Sequence, residues 1–294
     1  MIPSRVDLVK FRDRKIYVKR DDLLHDCLSG NKYRKLYTLI QTPSEKYTKI
    51  ISYGGAQSNA MLSIACLCKS KGWTFHYYTK NLPKVLKEGV EGNLELAIAE
   101  GMIVHEIAHK DFDKEIMELK DIQEEKTLVI SQGGADQTAQ EGVSLLAKEI
   151  KVWKKEQGVD KLSVVLPSGT GTTALYLKSM LDEGIAVYTS VLVGDEVYQR
   201  QQWRKLSEGP YPEVFPSKKK MKFAKPYDEF LQIHEELFAS TSITFDLIYA
   251  PLTWIQMLEN LRDKDGEILY IHTGGVSGNG TMLQRYKHKQ ARRR

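Results

Sequence analysis

Cysteine is scarce in this chain: Cys27, Cys66 and Cys68 are the three among 294 residues. Three thiols do not make a disulfide framework, and Cys66 and Cys68, two apart on an expected helix, point to different faces. No Cys/His spacing resembles a zinc site, so no metal is expected. Long apolar runs are absent as well. Nothing reaches the length that crosses a bilayer, and Met1-Ile2-Pro3-Ser4-Arg5-Val6-Asp7 has no apolar leader core. The expectation is an unprocessed cytoplasmic protein with no membrane partner. Nor is there a broad excess of one charge. The net charge is +5, much of it in the closing Lys287-His288-Lys289-Gln290-Ala291-Arg292-Arg293-Arg294. Nucleic-acid binding calls for a basic face with interleaved aromatics, whereas this tail and the short cluster Lys218-Lys219-Lys220 read as solvated surface.

What is present is ordinary globular composition, 41% hydrophobic and 28% charged, in a chain long enough for two α/β lobes. Short apolar runs alternate with segments of helical period, the pattern of a mostly parallel sheet covered by helices. Strands are expected at 15–19, 49–53, 73–78, 102–106, 127–130, 162–166, 185–193 and 269–272. Helices are expected at 33–41, 58–71, 92–100, 112–124 and 137–155, and from the loop after 166 to Leu181. Gly72 suits the left-handed end of the second of these. No internal repeat or low-complexity segment appears, and the Pro- and Lys-rich stretch 208–226 reads as a surface excursion.

Three polar, glycine-containing loops follow expected strands, and ligands of open α/β sheets sit beyond the carboxyl ends of the strands. Pro167-Ser168-Gly169-Thr170-Gly171-Thr172-Thr173 opens a helix, and its glycines, hydroxyls and unpaired N–H groups suit a phosphate. It is neither a Walker A motif nor a clean dinucleotide fingerprint. The alternative for the same residues is a tight turn with a Ser/Thr cap. Ser52-Tyr53-Gly54-Gly55-Ala56-Gln57-Ser58-Asn59 is also strand, glycines, helix start, with Ser58 or Asn59 open to a plain N-cap role. His272-Thr273-Gly274-Gly275-Val276-Ser277-Gly278-Asn279-Gly280 is a glycine-rich turn before the last helix. Lys32 is the odd residue. Gly30 and Asn31 place it in the first turn of a helix, where a cation meets the wrong end of the macrodipole. An amine held neutral in a covalent bond would suit that place.

Taken in order, these segments resemble the fold-type-II pyridoxal-phosphate (PLP) enzymes, and within them the 1-aminocyclopropane-1-carboxylate (ACC) deaminase/D-cysteine desulfhydrase group. Lys19-Arg20-Asp21-Asp22-Leu23 running into Ser29-Gly30-Asn31-Lys32-Tyr33-Arg34-Lys35-Leu36, and Gly54-Gly55-Ala56-Gln57-Ser58-Asn59, are the specific parts. Ser168-Gly169-Thr170-Gly171-Thr172 and His272-Thr273-Gly274-Gly275 complete a likeness that covers about 5–286. The resemblance implies two open, twisted, mostly parallel sheets with helices on both faces, as in tryptophan synthase β. It implies a smaller domain over 47–136, a larger cofactor-binding domain from 1–46 and 137–294, and a homodimer. By the same resemblance Lys32 holds pyridoxal 5'-phosphate covalently and returns protons, and Asn59 bonds the cofactor's 3-oxygen. Ser58 is the active-site serine, Gln57 lies with Ser58 and Asn59 in the carboxylate-binding turn, Ser168, Gly169, Thr170, Gly171 and Thr172 form the phosphate cradle, and Thr273 approaches the pyridine nitrogen.

The departures bear on the reaction. The family has a Tyr-Glu or Tyr-Thr pair near the end of the penultimate strand. Phe245-Asp246-Leu247-Ile248-Tyr249-Ala250-Pro251-Leu252 keeps the tyrosine as Tyr249, a catalytic candidate, but Ala250 supplies no acid. A second family tyrosine, in a glycine-rich segment, is matched only by Tyr227 in Phe223-Ala224-Lys225-Pro226-Tyr227, a candidate for substrate binding. A threonine near the pyridine nitrogen leaves the ring neutral more often than a carboxylate does. β-Elimination of a good leaving group is less demanding of the ring than cyclopropane opening. The expected activity is therefore PLP-dependent deaminase/lyase chemistry on a small amino acid, D-cysteine first. ACC deamination, or elimination or racemisation of another small D-amino acid, is the alternative. An O-acetylserine- or threonine-type lyase, a PLP-holding protein without turnover, and a nucleotide binder using only the 168–173 loop also stay open.

Overall fold

Alternating side chains make the first two strands, β1 (Val6–Phe11) and β2 (Arg14–Lys19), which pair antiparallel around Arg12 and Asp13, at φ 46° and 62°. Only β2 was expected from sequence. Arg12-Asp13 carries neither the Asn-Gly nor the Asp-Gly signature that marks such a hairpin. The computed structural model describes residues 3–28, 30–87, 92–217, 221–262 and 266–292. Met1, Ile2, Ser29, Lys218, Lys219, Lys220, Arg293 and Arg294, weighed above, lie outside the described residues.

After the hairpin come α1 (Asn31–Lys35), α2 (Tyr37–Gln41), β3 (Lys49–Tyr53), α3 (Asn59–Lys71), β4 (Thr74–Lys80), α4 (Lys84–Lys87), α5 (Asn93–Ala99), β5 (Met102–Ile107), α6 (Phe112–Lys120) and β6 (Thr127–Ile130). Then follow α7 (Ala139–Glu156), β7 (Leu162–Ser168), α8 (Thr172–Met180), β8 (Ile185–Val191), α9 (Glu196–Arg204), β9 (Glu213–Val214), α10 (Asp228–Thr241), α11 (Ala250–Asn260), β10 (Glu267–Ile271) and α12 (Asn279–Ala291). The expected helix over 33–41 is interrupted at Leu36, which ends α1 and begins α2. The stretch Phe245 to Tyr249 is no strand end. It is a turn that leads into α11, because Asp246 collects the N–H groups of Ile248, Tyr249 and Ala250 where that helix begins.

Two sheets result. The larger runs β1-β2-β10-β7-β8-β9, parallel except for the opening hairpin, and the smaller runs β5-β4-β3-β6, wholly parallel. β7 is buried along its whole length, as a strand covered on both faces must be. Val164 and Leu166 pack with α7 and α8, while Val165 packs on the other side with Trp254, Phe245 and Tyr270. The smaller sheet has its own core around Ile50, Phe75, Tyr77, Met61 and Leu94. Among the described residues no helix is long and apolar enough to cross a membrane.

One expectation needs correction. Cys27, in the loop before α1, is paired in a disulfide with Cys66 on α3, Cα to Cα 6.2 Å, leaving Cys68 buried and free. Cys66 and its partner lie 39 residues apart in sequence and meet only through the fold.

Candidate active site

Arg34 explains the charged run at 19–22 and fixes the helix that carries Lys32. Its guanidinium is 0% exposed and forks onto two carboxylates, at 2.8 and 3.0 Å from Asp21 and at 2.6 and 2.8 Å from Glu149. Lys19 reaches Glu149 at 2.7 Å from the other side. A buried, bidentate arrangement of this kind locks side-chain geometry. It pins one face of α1 to the turn after β2 and to α7. Lys32 and Lys35, three apart and so neighbours on the helix surface, are left to face a cavity of about 930 Å³ between the two sheets.

The start of α1 abuts the loop after β10. The Asn31 N–H donates to the Thr273 carbonyl at 3.1 Å, and Gly30, at φ 51°, is placed where any β-carbon would overlap that carbonyl. His272 steadies the same loop. Its Nδ1 accepts from the Gly274 N–H, its ring stacks on Phe245, and burial lowers its pKa so that it stays neutral. Lys32 donates to Asn31 Oδ1 at 2.9 Å. Burial brings the Lys32 amine down to about 8, against the opposing pull of Asp246. The Asp246 carboxyl is pushed up to about 6 by burial, against the N–H groups of Tyr249, Ile248 and Ala250 and the charge of Lys32.

The loop from β7 to α8 lies across the cavity from the start of α1. Gly171, at φ 71°, leaves no room for a β-carbon against Gln199 and Trp203, whose side chains hold the carbonyls of Thr170 and Gly171 at 2.8 and 3.1 Å. With those carbonyls turned away, the first N–H groups of α8 are left for a ligand. Thr170 and Thr172 bond each other through their hydroxyls at 3.0 Å, and the buried Thr173 Oγ1 has no partner among the described residues. Ser168 points its hydroxyl into the sheet, 2.6 Å from Thr189. Lys35 donates to Thr170 Oγ1 at 3.1 Å and to the Gly133 carbonyl at 3.0 Å. Its pKa is held far below the usual lysine value, first by burial and then by Lys32, with Asp136 opposing.

At the start of α3, Ser58 is the N-cap, accepting from the N–H groups of Ala60 and Met61 at 3.2 and 3.4 Å. An oxygen that accepts twice keeps its own proton to donate. Gln57, Ser58 and Asn59 all line the cavity, and Gln57 Nε2 is buried without a partner among the described residues. Tyr249 lines it too, with its hydroxyl beside Gly169 and its ring 5.6 Å from that of Phe223. Burial, then Asp246, raises the Tyr249 phenol above its ordinary value.

The structure therefore brings together Lys32, Gln57, Ser58, Asn59, Ser168 through Thr172, Tyr249 and Thr273 around one cavity. Tyr227 is not among them. Its hydroxyl accepts from the Lys222 N–H at 2.9 Å, its ring packs on Phe230, and Phe223 from the same segment stands in the cavity instead. Lys35 was missed by the sequence reading. The i, i+3 spacing that puts Lys32 and Lys35 on one helix face was the one signal in the sequence. The described cavity wall carries Lys32, Lys35, Lys80, Lys222 and Arg285 against one carboxylate, Asp113 at the rim. An anionic ligand is favoured by that balance, with a nucleophilic amine at one side and a phosphate-sized nest at the other.

A family model described as pyridoxal-phosphate dependent enzyme matches residues 6–188. A putative 1-aminocyclopropane-1-carboxylate deaminase from Thermotoga maritima is 28% identical over 302 residues, covering 94% of this chain and 95% of its own. The D-cysteine desulfhydrase of Serratia proteamaculans is 24% identical over 293 residues, covering 92% of this chain and 89% of its own. A crystal structure of an ACC deaminase homologue matches with a TM-score of 0.79 at 23% identity, over 97% of this chain and 94% of that one. The shared fold is the α/β, two-sheet arrangement expected of fold type II.

Proposed function

We propose that this chain, which belongs to the pyridoxal-phosphate dependent enzymes, is a deaminase/lyase that eliminates the β-substituent of a small amino acid, D-cysteine first. Cysteine and water would leave as sulfide, pyruvate and ammonia. Pyridoxal phosphate, when bound, is the electron sink for the bond broken at the substrate. It fits the residues present: the buried Thr173 hydroxyl without a partner among the described residues, the Lys35 amine and the start of α8 meet at one nest, and the Lys32 amine stands across the cavity from it.

The remaining work falls to the chain. Lys32 would hold the cofactor, and its amine would hold or move a proton beside the substrate. Lys35 and the turn Gly169, Thr170, Gly171, Thr172 and Thr173 would hold the phosphate. Asn59 would donate to the cofactor's 3-oxygen, while the Gln57 amide nitrogen and the Ser58 hydroxyl would receive the substrate carboxylate. Thr273 would stand by the cofactor's pyridine nitrogen, and Tyr249 would supply a phenol to the substrate.

One observation carries the preference for elimination over ring opening. Asp113, exposed at the rim on α6, is the single carboxylate among the described residues lining the cavity, and Ala250 brings none. A ring nitrogen without a carboxylate partner is a weaker sink, sufficient for expelling a thiolate. ACC is the second reading, favoured by the phenol of Tyr249 in the cavity. Purified protein given D-cysteine should release sulfide and pyruvate. Turnover of ACC with none of D-cysteine would reverse the preference, and turnover of neither would favour a cofactor-holding protein. The proposal includes a cytoplasmic homodimer and a chain divided into a smaller domain over 47–136 and a larger one over 1–46 and 137–294.

A further inference from the structure

Asn93, the first residue of α5, is 0% exposed and lies behind the cavity wall. Its backbone N–H donates to Gln57 Oε1 at 2.8 Å. Its side-chain nitrogen donates twice, to the Gln57 carbonyl at 3.1 Å and to Asn59 Oδ1 at 2.7 Å. Its own Oδ1 accepts from the Ser277 hydroxyl at 2.8 Å. Both side-chain hydrogens of Asn93 are thus committed, and Ser277 fixes which end of the amide is which.

The consequence lies in the cavity. A carboxamide has a donor end and an acceptor end, and a flip exchanges them at little steric cost. Asn93 occupies the oxygens of both Gln57 and Asn59, so each must turn its nitrogen elsewhere. Gln57 Nε2 is the buried donor without a partner among the described residues. Asn59 Nδ2 is turned towards Gly275. Space is kept for this arrangement, since a β-carbon at Gly92 would meet Gln57 Oε1 and Thr281 Oγ1.

We infer that Asn93, held by Ser277, is a positioning residue that sets Gln57 and Asn59 as hydrogen-bond donors towards the anionic groups of cofactor and substrate. The inference rests on the pyridoxal-phosphate reading of the cavity. It joins three separate parts of the chain, the turn before α3, the start of α5 and the loop before α12, in one donor chain. In that chain Ser277 donates to Asn93 and Asn93 to Asn59, and Asn59 would donate to the cofactor's 3-oxygen.

The test is the visible spectrum of full-length protein reconstituted with pyridoxal phosphate, read against pH. Asn93→Asp keeps the shape but replaces the donor nitrogen by an acceptor, so Asn59 must turn its oxygen to the 3-oxygen. A donor there stabilises the oxygen's negative charge and weakens its hold on a neighbouring proton. Losing it should move the pH midpoint of the cofactor band upward by roughly one unit and weaken cofactor affinity about tenfold. Ser277→Ala should move the band in the same direction by less, and Ser277→Thr should restore it. If Asn93→Asp does not fold, the Ser277 pair decides. Variants that fold and give the wild-type band at every pH, even with a lowered melting temperature, would make Asn93 merely structural and overturn the inference. A wild-type protein that takes up no pyridoxal phosphate would instead overturn the reading beneath it, and the inference with it.

Discussion

Lys35 donates to Thr170 Oγ1 at 3.1 Å, tying the helix that carries Lys32 to the loop that opens α8. The contact places a second buried amine at the anion nest, three residues from the first. A phosphate dianion beside the Lys35 amine favours its protonated form, and replacing Lys35 with methionine keeps the stem and removes that ammonium. A charged hydrogen bond contributes about 1.5–3 kcal/mol, so affinity for pyridoxal phosphate should fall roughly ten- to hundredfold. Titration of apoprotein reads this directly. Pyridoxal without its phosphate should be affected far less, and equal losses for both would remove Lys35 from the phosphate site.

Burial holds the Lys32 amine at about 8 and Asp246 pulls it upward. The neutral amine is the nucleophile. Cofactor capture by apoprotein should therefore accelerate as pH rises and level off above about 8. Asp246→Asn removes the upward pull, so the plateau should be reached at lower pH. Stopped-flow capture rates across pH check both, and a profile still climbing at the pH of an ordinary lysine would contradict the account.

Arg34 bridges Asp21 and Glu149 with none of its surface exposed. Arg34→Leu leaves Asp21 buried without its guanidinium, while Glu149 keeps Lys19, a change expected to cost about 3–5 kcal/mol in chemical denaturation. The Arg12–Glu236 pair, with 53% and 34% of its side chains exposed, is the control, and Arg12→Ala should cost at most about 1 kcal/mol.

Gly30→Ala should be damaging out of proportion to its size. At φ 51° the new methyl would run into the Thr273 carbonyl. Strain of this kind costs about 1–3 kcal/mol. It would also push Lys32 away from the cavity, so both melting temperature and cofactor capture should fall.

Lys32 was legible because its neighbours are unusual: a glycine, an asparagine and a helix start leave a cation in a poor place. The loops were legible for a similar reason, since strand, glycines and hydroxyls carry local meaning. Lys35 was not, because a lysine in a charged segment looks like surface until its neighbour Arg34 is seen to be buried. Asn93 was hidden further. An amide matters here only through Gln57, Asn59 and Ser277, and Ser277 lies 184 residues away in sequence. Tyr227 failed in the opposite direction. A plausible phenol near the right segment turned to Lys222 while Phe223 took the cavity. The pairing of Cys27 with Cys66 and the hairpin at Arg12-Asp13 likewise depend on contacts that local periodicity does not encode.

The central claim is that pyridoxal phosphate is bonded through Lys32. Reducing the reconstituted protein with borohydride, digesting it and weighing the peptides tests this most directly. The account predicts a reduced cofactor adduct on the peptide at Lys32, and none after Lys32→Ala. An adduct on Lys35, or on any other lysine of the wild-type protein with Lys32 unmodified, would contradict it.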